Sequence, residues 1–170
     1  SSVQNGVAFG TQPVVQVRDA SGNDVSESGV TVTASIASGG GTLGGTATAT
    51  TNADGLATFT DLVITGTVGD RTLSFTADAL TAGTSNNIDV TVGPATQLVL
   101  VTQPSSSVQN GVAFGTQPVV QVRDASGNDV SLSGLMVMVG IASGTGTLGG
   151  TDMVDTNAEG QATFTNLVIT

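Results

Sequence analysis

Along most of the chain apolar and polar residues alternate one by one, and no stretch of useful length repeats its apolar residues every three or four positions. Val30, Val32, Ala34 and Ile36 alternate with Thr31, Thr33 and Ser35. Leu73, Phe75 and Ala77 alternate with Thr72, Ser74 and Thr76, and Ile88, Val90 and Val92 with Asp89 and Thr91. A period of two places the members of each set on opposite faces of a pleated strand, so the apolar set faces a core and the Thr-rich set faces water. Runs rich in Val, Thr, Ile and Phe, punctuated by Gly, Asn and Asp at intervals of roughly 8 to 12 residues, predict strands. They fall at 14–19, 30–37, 46–51, 56–64, 71–77, 87–92 and 98–102. Val15, Val17, Phe59, Leu62 and Ile64 join the inward set. Short strands at this spacing predict an all-β fold of the sandwich type.

The chain also repeats itself. Residues 1–25, SSVQNGVAFGTQPVVQVRDASGNDV, recur letter for letter as 106–130, and TNADGLATFTDLVIT (51–65) returns without a gap as TNAEGQATFTNLVIT (156–170). The period is 105 residues, and 14 of the 65 aligned positions differ. A repeat of that length is domain-sized, so each copy is expected to own a core. The expected domains are 1–93 and 94–170. ATQLVLVTQPS (95–105) introduces the second copy and has no counterpart before Ser1, while 66–93 has none after Thr170. The first copy is therefore expected to lack its first strand and the second its last two. A slice of a longer tandem array would explain this, and so would incomplete domains that complete one another by strand addition into a fibre.

The string LVLVTQPSSSVQNGVAFGTQPVVQVRDASGNDV, the Gly-rich GTLGGT, TNADGLATFTDLVITG and the closing RTLSFTA…TSNNIDVTV occur in order. Together they resemble the bacterial immunoglobulin-like (Big-type) repeats of large secreted and surface proteins, similar in architecture to the stalk domains of invasin and intimin adhesins. The resemblance spans essentially the whole chain. It implies tandem immunoglobulin-like β-sandwiches, Greek-key, of about seven strands each, in a rod-like extracellular spacer, adhesin or fibre module. It transfers no catalytic residue, and the Cys and Trp of antibody-type domains are absent.

Composition narrows the chemistry further. The chain carries 13 acidic residues against three arginines and no lysine, a formal net charge of -10, and has no Cys, His, Tyr or Trp. No thiol or imidazole nucleophile, Ser-His-Asp triad, soft-ligand zinc site, Schiff base, disulfide or Lys-Asn crosslink can be built from these residues. Three dispersed arginines cannot neutralise a phosphate backbone, so nucleic acid is not an expected partner. Two carboxylates suffice for glycoside hydrolysis, yet the acids fall mostly in predicted turns, and an enzyme is not expected. A carbohydrate-binding or accessory module of a secreted enzyme is the alternative reading, opposed by the lack of Trp and Tyr for stacking on sugar rings. No apolar run reaches the length of a membrane-spanning helix, and no N-x-S/T acceptor occurs. The acidic, Thr-, Ser- and Gly-rich composition agrees with an extracellular or cell-surface location, export then resting on a leader outside these residues.

Three features are candidate sites. The turn DASGNDV presents Asp19, Asn23 and Asp24, repeated as Asp124, Asn128 and Asp129, whose oxygens could hold Ca²⁺ or could simply bond back to the turn backbone. If the copies stack head to tail across the short Gly93-Pro94 connection, Asp61 and Asp70 would approach Asp124, Asp129 and Glu159 and repel them unless Arg71 or a divalent cation intervened; solvated loops that never touch are the alternative reading. The third lies in the substitutions between copies, where Glu27 becomes Leu132, Thr31 becomes Met136, Thr33 becomes Met138 and Thr48 becomes Met153. Leu132, Met136, Met138 and Met153 suggest an apolar patch that packs on other copies, with local repacking as the duller explanation.

Overall fold

The alternating stretches form strands in a computed structural model that describes all 170 residues, and no α-helix occurs in it. Consequently no helix is long and apolar enough to cross a membrane. The chain divides into two compact units, Ser1–Pro94 and Ala95–Thr170.

Unit 1 contains β1 (Ser2–Gln4), β2 (Val14–Gln16), β3 (Thr31–Ser38), β4 (Thr42–Gly44), β5 (Thr48–Thr50), β6 (Leu56–Thr58), β7 (Val63–Thr65), β8 (Gly69–Thr76), β9 (Gly83–Thr84) and β10 (Ile88–Thr91). Its main sheet runs β1-β10-β8-β3-β5, with β9 added beside β8; β2–β6 and β4–β7 form two further ribbons. Register along β3 and β8 places Ala34 opposite Phe75 and Ile36 opposite Leu73. Alternation then delivers Val32, Ala34, Leu73, Phe75, Ile88 and Val90 to one cluster with Phe9, Ala57, Phe59, Leu62 and Ile64. The Phe59 and Phe75 rings meet at 5.5 Å, tilted by 52°. Thr31, Thr33, Thr76, Asp89 and Thr91 lie exposed on the other face.

Unit 2 contains β11 (Ala95–Thr102), β12 (Val119–Asp124), β13 (Met136–Met138), β14 (Leu148–Gly149), β15 (Met153–Asp155), β16 (Gln161–Thr163) and β17 (Val168–Ile169). A three-stranded sheet β11-β12-β16 accompanies the ribbons β13–β15 and β14–β17. Its core is smaller. Val137, Ala162, Phe164 and Leu167 are buried, with Phe114, Val120, Val139, Leu148 and Val154 partly buried against them.

The predicted strand 56–64 is interrupted. Between β6 and β7 the Phe59 amide donates to the Pro13 carbonyl, and the Gln12 side chain accepts from the Leu62 amide and donates to the Leu62 carbonyl. Gln117 makes the same bonds to Leu167 in unit 2, so a glutamine stands in for a missing stretch of ladder in both copies. Strands β1, β4 and β9 were not expected from the pattern. The N-A-D/E-G motif is a turn in which Asn52 Oδ1 accepts the Asp54 and Leu56 amides and Asn157 Oδ1 those of Glu159 and Gln161. Gly55 and Gly160 follow at φ +79° and +80°, and a Cβ on either would lie 2.0 Å from the carbonyl oxygen of Val25 or Val130. Only glycine satisfies both conditions.

Candidate interaction surfaces

A groove of unit 1 runs beside β2. This strand pairs with β6 and with no other strand. Its letter-identical counterpart in unit 2, β12, pairs with β16 on one side and with β11 on the other. Where β11 would lie against unit 1 there is instead a groove in two stretches of about 790 and 430 Å³, both bordered by Val15, Gln16, Arg18, Phe75 and Gly83. Leu73 and Ile88 line the larger stretch and Val32 the smaller. These side chains come from the main sheet and belong to the core, each at most 8% exposed, so the groove runs along the edge of that core.

Strand β11 shows the converse. Leu100 lies opposite Val120 and Leu98 opposite Val122 in the β11–β12 register. Opposed residues of an antiparallel pair point to the same face, so Leu98 shares the face on which Val122 is only 1% exposed. Leu98 is nevertheless 54% exposed and Leu100 39%. Unit 1 has β8 and β10 in its main sheet, and unit 2 pairs β11 with β12 alone. The same face therefore lies open on β11.

Met136 and Met138 project from β13 on either side of buried Val137, and Met138 lies directly opposite Met153 on β15. The three methionines are 64%, 69% and 48% exposed, so they do share the outer face of one ribbon. Leu132 is also exposed but stands on the loop before β13, where its carbonyl accepts the Thr156 hydroxyl.

The Asp turns are closed on themselves. Asp19 Oδ1 accepts the Ser21 and Asn23 amides at 2.9 and 2.8 Å, and Oδ2 accepts the Asn23 side chain at 2.9 Å. The bond from the Asn23 side chain is the main reason the Asp19 carboxyl is held below its ordinary pKa, with the Asn23 amide adding to it. Asp124 makes the same bonds with Ser126 and Asn128. Asp24 and Asp129 point elsewhere, to Arg18 Nε at 3.0 Å and Arg123 Nε at 2.7 Å. The structure thus directs the two acids of each turn to different bonds, and it gathers no group of three or more His, Cys, Asp or Glu side chains.

Arg71, named above as one possible counter-charge at the connection, is 4% exposed inside unit 1, and its guanidinium donates to the carbonyls of Asp70 and Thr67. It lies under the Gly39–Gly41 loop, where a Cβ on Gly39 would come within 2.6 Å of Arg71 Cδ. Residue 71 is in phase with inward-facing Leu73 and Phe75, a signal of burial that the alternation contains. Asp61, for its part, accepts the Thr46 amide and hydroxyl, fastening the link between β4 and β5.

Gln16 and Gln121 are structural residues that the sequence pattern did not single out. Gln16 Nε2 donates to the carbonyls of Val17, Val25, Asp54 and Gly55, and Gln121 Nε2 to those of Val122, Glu159 and Gly160. The recurrent TQPVVQ string places both these glutamines and the Gln12/Gln117 pair at fixed offsets, which was the available signal. Comparison with protein-family models, with curated proteins and with solved structures finds no match to this chain.

Proposed function

We infer that the chain is a non-enzymatic structural repeat, two tandem immunoglobulin-like β-sandwich modules of an extracellular stalk, spacer or fibre of the bacterial Big type. The observation that carries this reading is the 105-residue repeat whose two copies gather the same positions, Ala57/Ala162, Phe59/Phe164 and Leu62/Leu167, into a core of their own. Such a unit can be multiplied in tandem without redesign, each copy burying its own apolar side chains. The conserved spacing between copies falls on residues that close turns or tie loops, namely Gln12, Gln16, Asp19 and Asn52 with their counterparts. A hydrogen-bonded strand ladder is suited to bearing load, and threonine on the outer faces keeps strand propensity while remaining polar.

Pulling single chains between a surface and a cantilever tests the reading. Discrete unfolding events at reproducible force, one per unit, are expected. Stretching without force peaks would remove the mechanical role, and saturable retention on a polysaccharide would favour an accessory binding module instead. Electron microscopy separates the two structural forms, with filaments expected of a fibre subunit and separate small particles of a spacer.

A further inference from the structure

We propose that the outer face of the β13–β15 ribbon is a binding site for a soft monovalent metal ion, Cu(I), held by the thioether sulfurs of Met136, Met138 and Met153.

Four side chains make up that face. Met136 lies opposite Asp155 and Met138 opposite Met153, and all four are exposed, while Val137 between the two methionines of β13 is buried. The corresponding ribbon of unit 1, β3–β5, sets Thr31 opposite Thr50 and Thr33 opposite Thr48, and these are exposed too. They are so with β8 paired to β3, which makes exposure a property of the face itself. Every threonine of the face therefore has a different counterpart in unit 2, three of them a thioether and one a carboxylate. The inward positions stay apolar, Val32 and Ala49 in one copy and Val137 and Val154 in the other. The methionines thus add nothing to the core, and what they share is a sulfur donor. They are all the methionines of the chain, which has no Cys or His to compete for a soft ion.

The ribbon spaces these donors for one common ion. Directly opposed residues of an antiparallel pair stand about 5 Å apart, residues two apart on one strand about 7 Å, and diagonal neighbours about 7–8 Å. Met153, Met138 and Met136 therefore stand at the corners of a triangle that three long side chains can close above the ribbon. Methionine suits this because it is unbranched and turns about three side-chain bonds. Thioether sulfur is soft, a donor that selects Cu(I) over Mg²⁺ or Ca²⁺, which take oxygen. Asp155 on the same face supplies negative charge beside a cation, in a chain whose net charge is -10.

Ag(I), equally soft and singly charged but stable in air, is the first probe. Titrated into the full chain in nitrate buffer, it should bind at one ion per chain, with the three methionine methyl resonances shifting together and saturating at that ratio. Cu(I) kept reduced with ascorbate should give the same shifts, and excess Ca²⁺ should displace neither ion. Met138→Leu removes the sulfur at the shared corner while keeping an apolar side chain at an exposed position, so circular dichroism should stay unchanged. Its affinity for Ag(I) should fall at least about tenfold, and the triple variant with Met136→Leu and Met153→Leu should lose saturable binding. No binding by the parent would overturn the proposal. So would three ions taken up independently, each moving one methyl resonance, since the thioethers would then act singly. One-to-one binding that survives in the triple variant, or that Ca²⁺ displaces, would overturn it as well, because the donors would be carboxylates. None of these results bears on the structural repeat, which stands or falls by its own test.

Discussion

Residues 1–25 and 106–130 are the same 25 letters, and they do not fold identically. Ser2–Gln4 forms a strand because β10 is beside it, whereas residues 107–109 have no such neighbour and remain irregular. Conversely, the VVQVRD string is a strand for six residues in Val119–Asp124, paired on both sides, and for only three in Val14–Gln16, paired on one. Gln121 and Asp124 are 2% and 1% exposed under β11, while Gln16 is half-buried and Asp19 exposed. Local preference is constant across this pair, so every difference reports a neighbour present or missing. Strand length here is a property of the sheet and not of the segment, which is what makes strand propensity depend on context.

The comparison can be broken most forcefully at the core. Phe59→Ala and Phe164→Ala each remove a ring that is at most 2% exposed, and each should destabilise its own unit by about 3–5 kcal/mol. Calorimetry should show one transition lowered in each variant, the unit 2 transition being the lower one in the parent because its core is smaller. A single transition that both variants shift equally would show that the units do not melt separately. Next in size is Gly55→Ala against Gly160→Ala. Both meet the same positive φ and the same carbonyl at 2.0 Å, so each should cost at least about 1–3 kcal/mol, equally in the two units. An unequal loss, read in denaturant melts, would mean that the turns relax differently.

A third pair sharpens the difference instead of the likeness. Gln16→Ala and Gln121→Ala remove bonds to corresponding loop carbonyls, but Gln16 is half-buried whereas Gln121 is 2% exposed beside β11. Its loss should be about 1–3 kcal/mol, against about 0.5–1.5 kcal/mol for Gln16. Equal effects would argue that β11 does not shield this site. Met136→Thr combined with Met138→Thr restores the side chains of copy one at exposed positions and should alter stability by no more than about 0.5 kcal/mol. Unchanged sedimentation in that variant would place the methionine ribbon outside any assembly surface.

The smallest effect is on proton binding. The folded state holds the Asp19 carboxyl below its ordinary pKa, so the turn's contribution is fully present above the unfolded value. It is lost as pH falls through the lowered folded value. An NMR titration should find Asp19 still ionised where an unstructured aspartate is protonated. In Asn23→Ala, which removes the largest cause, its midpoint should move back up. A midpoint that stays at the ordinary value in the parent would contradict the turn geometry.

Much of the fold was legible from the period-two pattern because alternation and burial are one geometry seen twice. Val32 and Ala34, Leu73 and Phe75, and Ile88 and Val90 all lie inward as read. What escaped the pattern depends on partners distant in sequence. The break between β6 and β7 is set by Gln12 and Pro13. Strand β1 exists through β10, and the span of β12 depends on β11. Arg71 entered the sequence reading only as a conditional counter-charge, although its phase along β8 already put it inside. Of the candidate surfaces, the methionine face was readable from substitutions between copies. The open edge of β2 was readable from the same comparison, since residues 95–105 have no counterpart before Ser1.

Gln12 and Gln117 each close a loop of 50 residues, with side-chain bonds to Leu62 and Leu167. Where a stretch of ladder is missing, one amide side chain thus serves as the clasp between the two ends of a long loop.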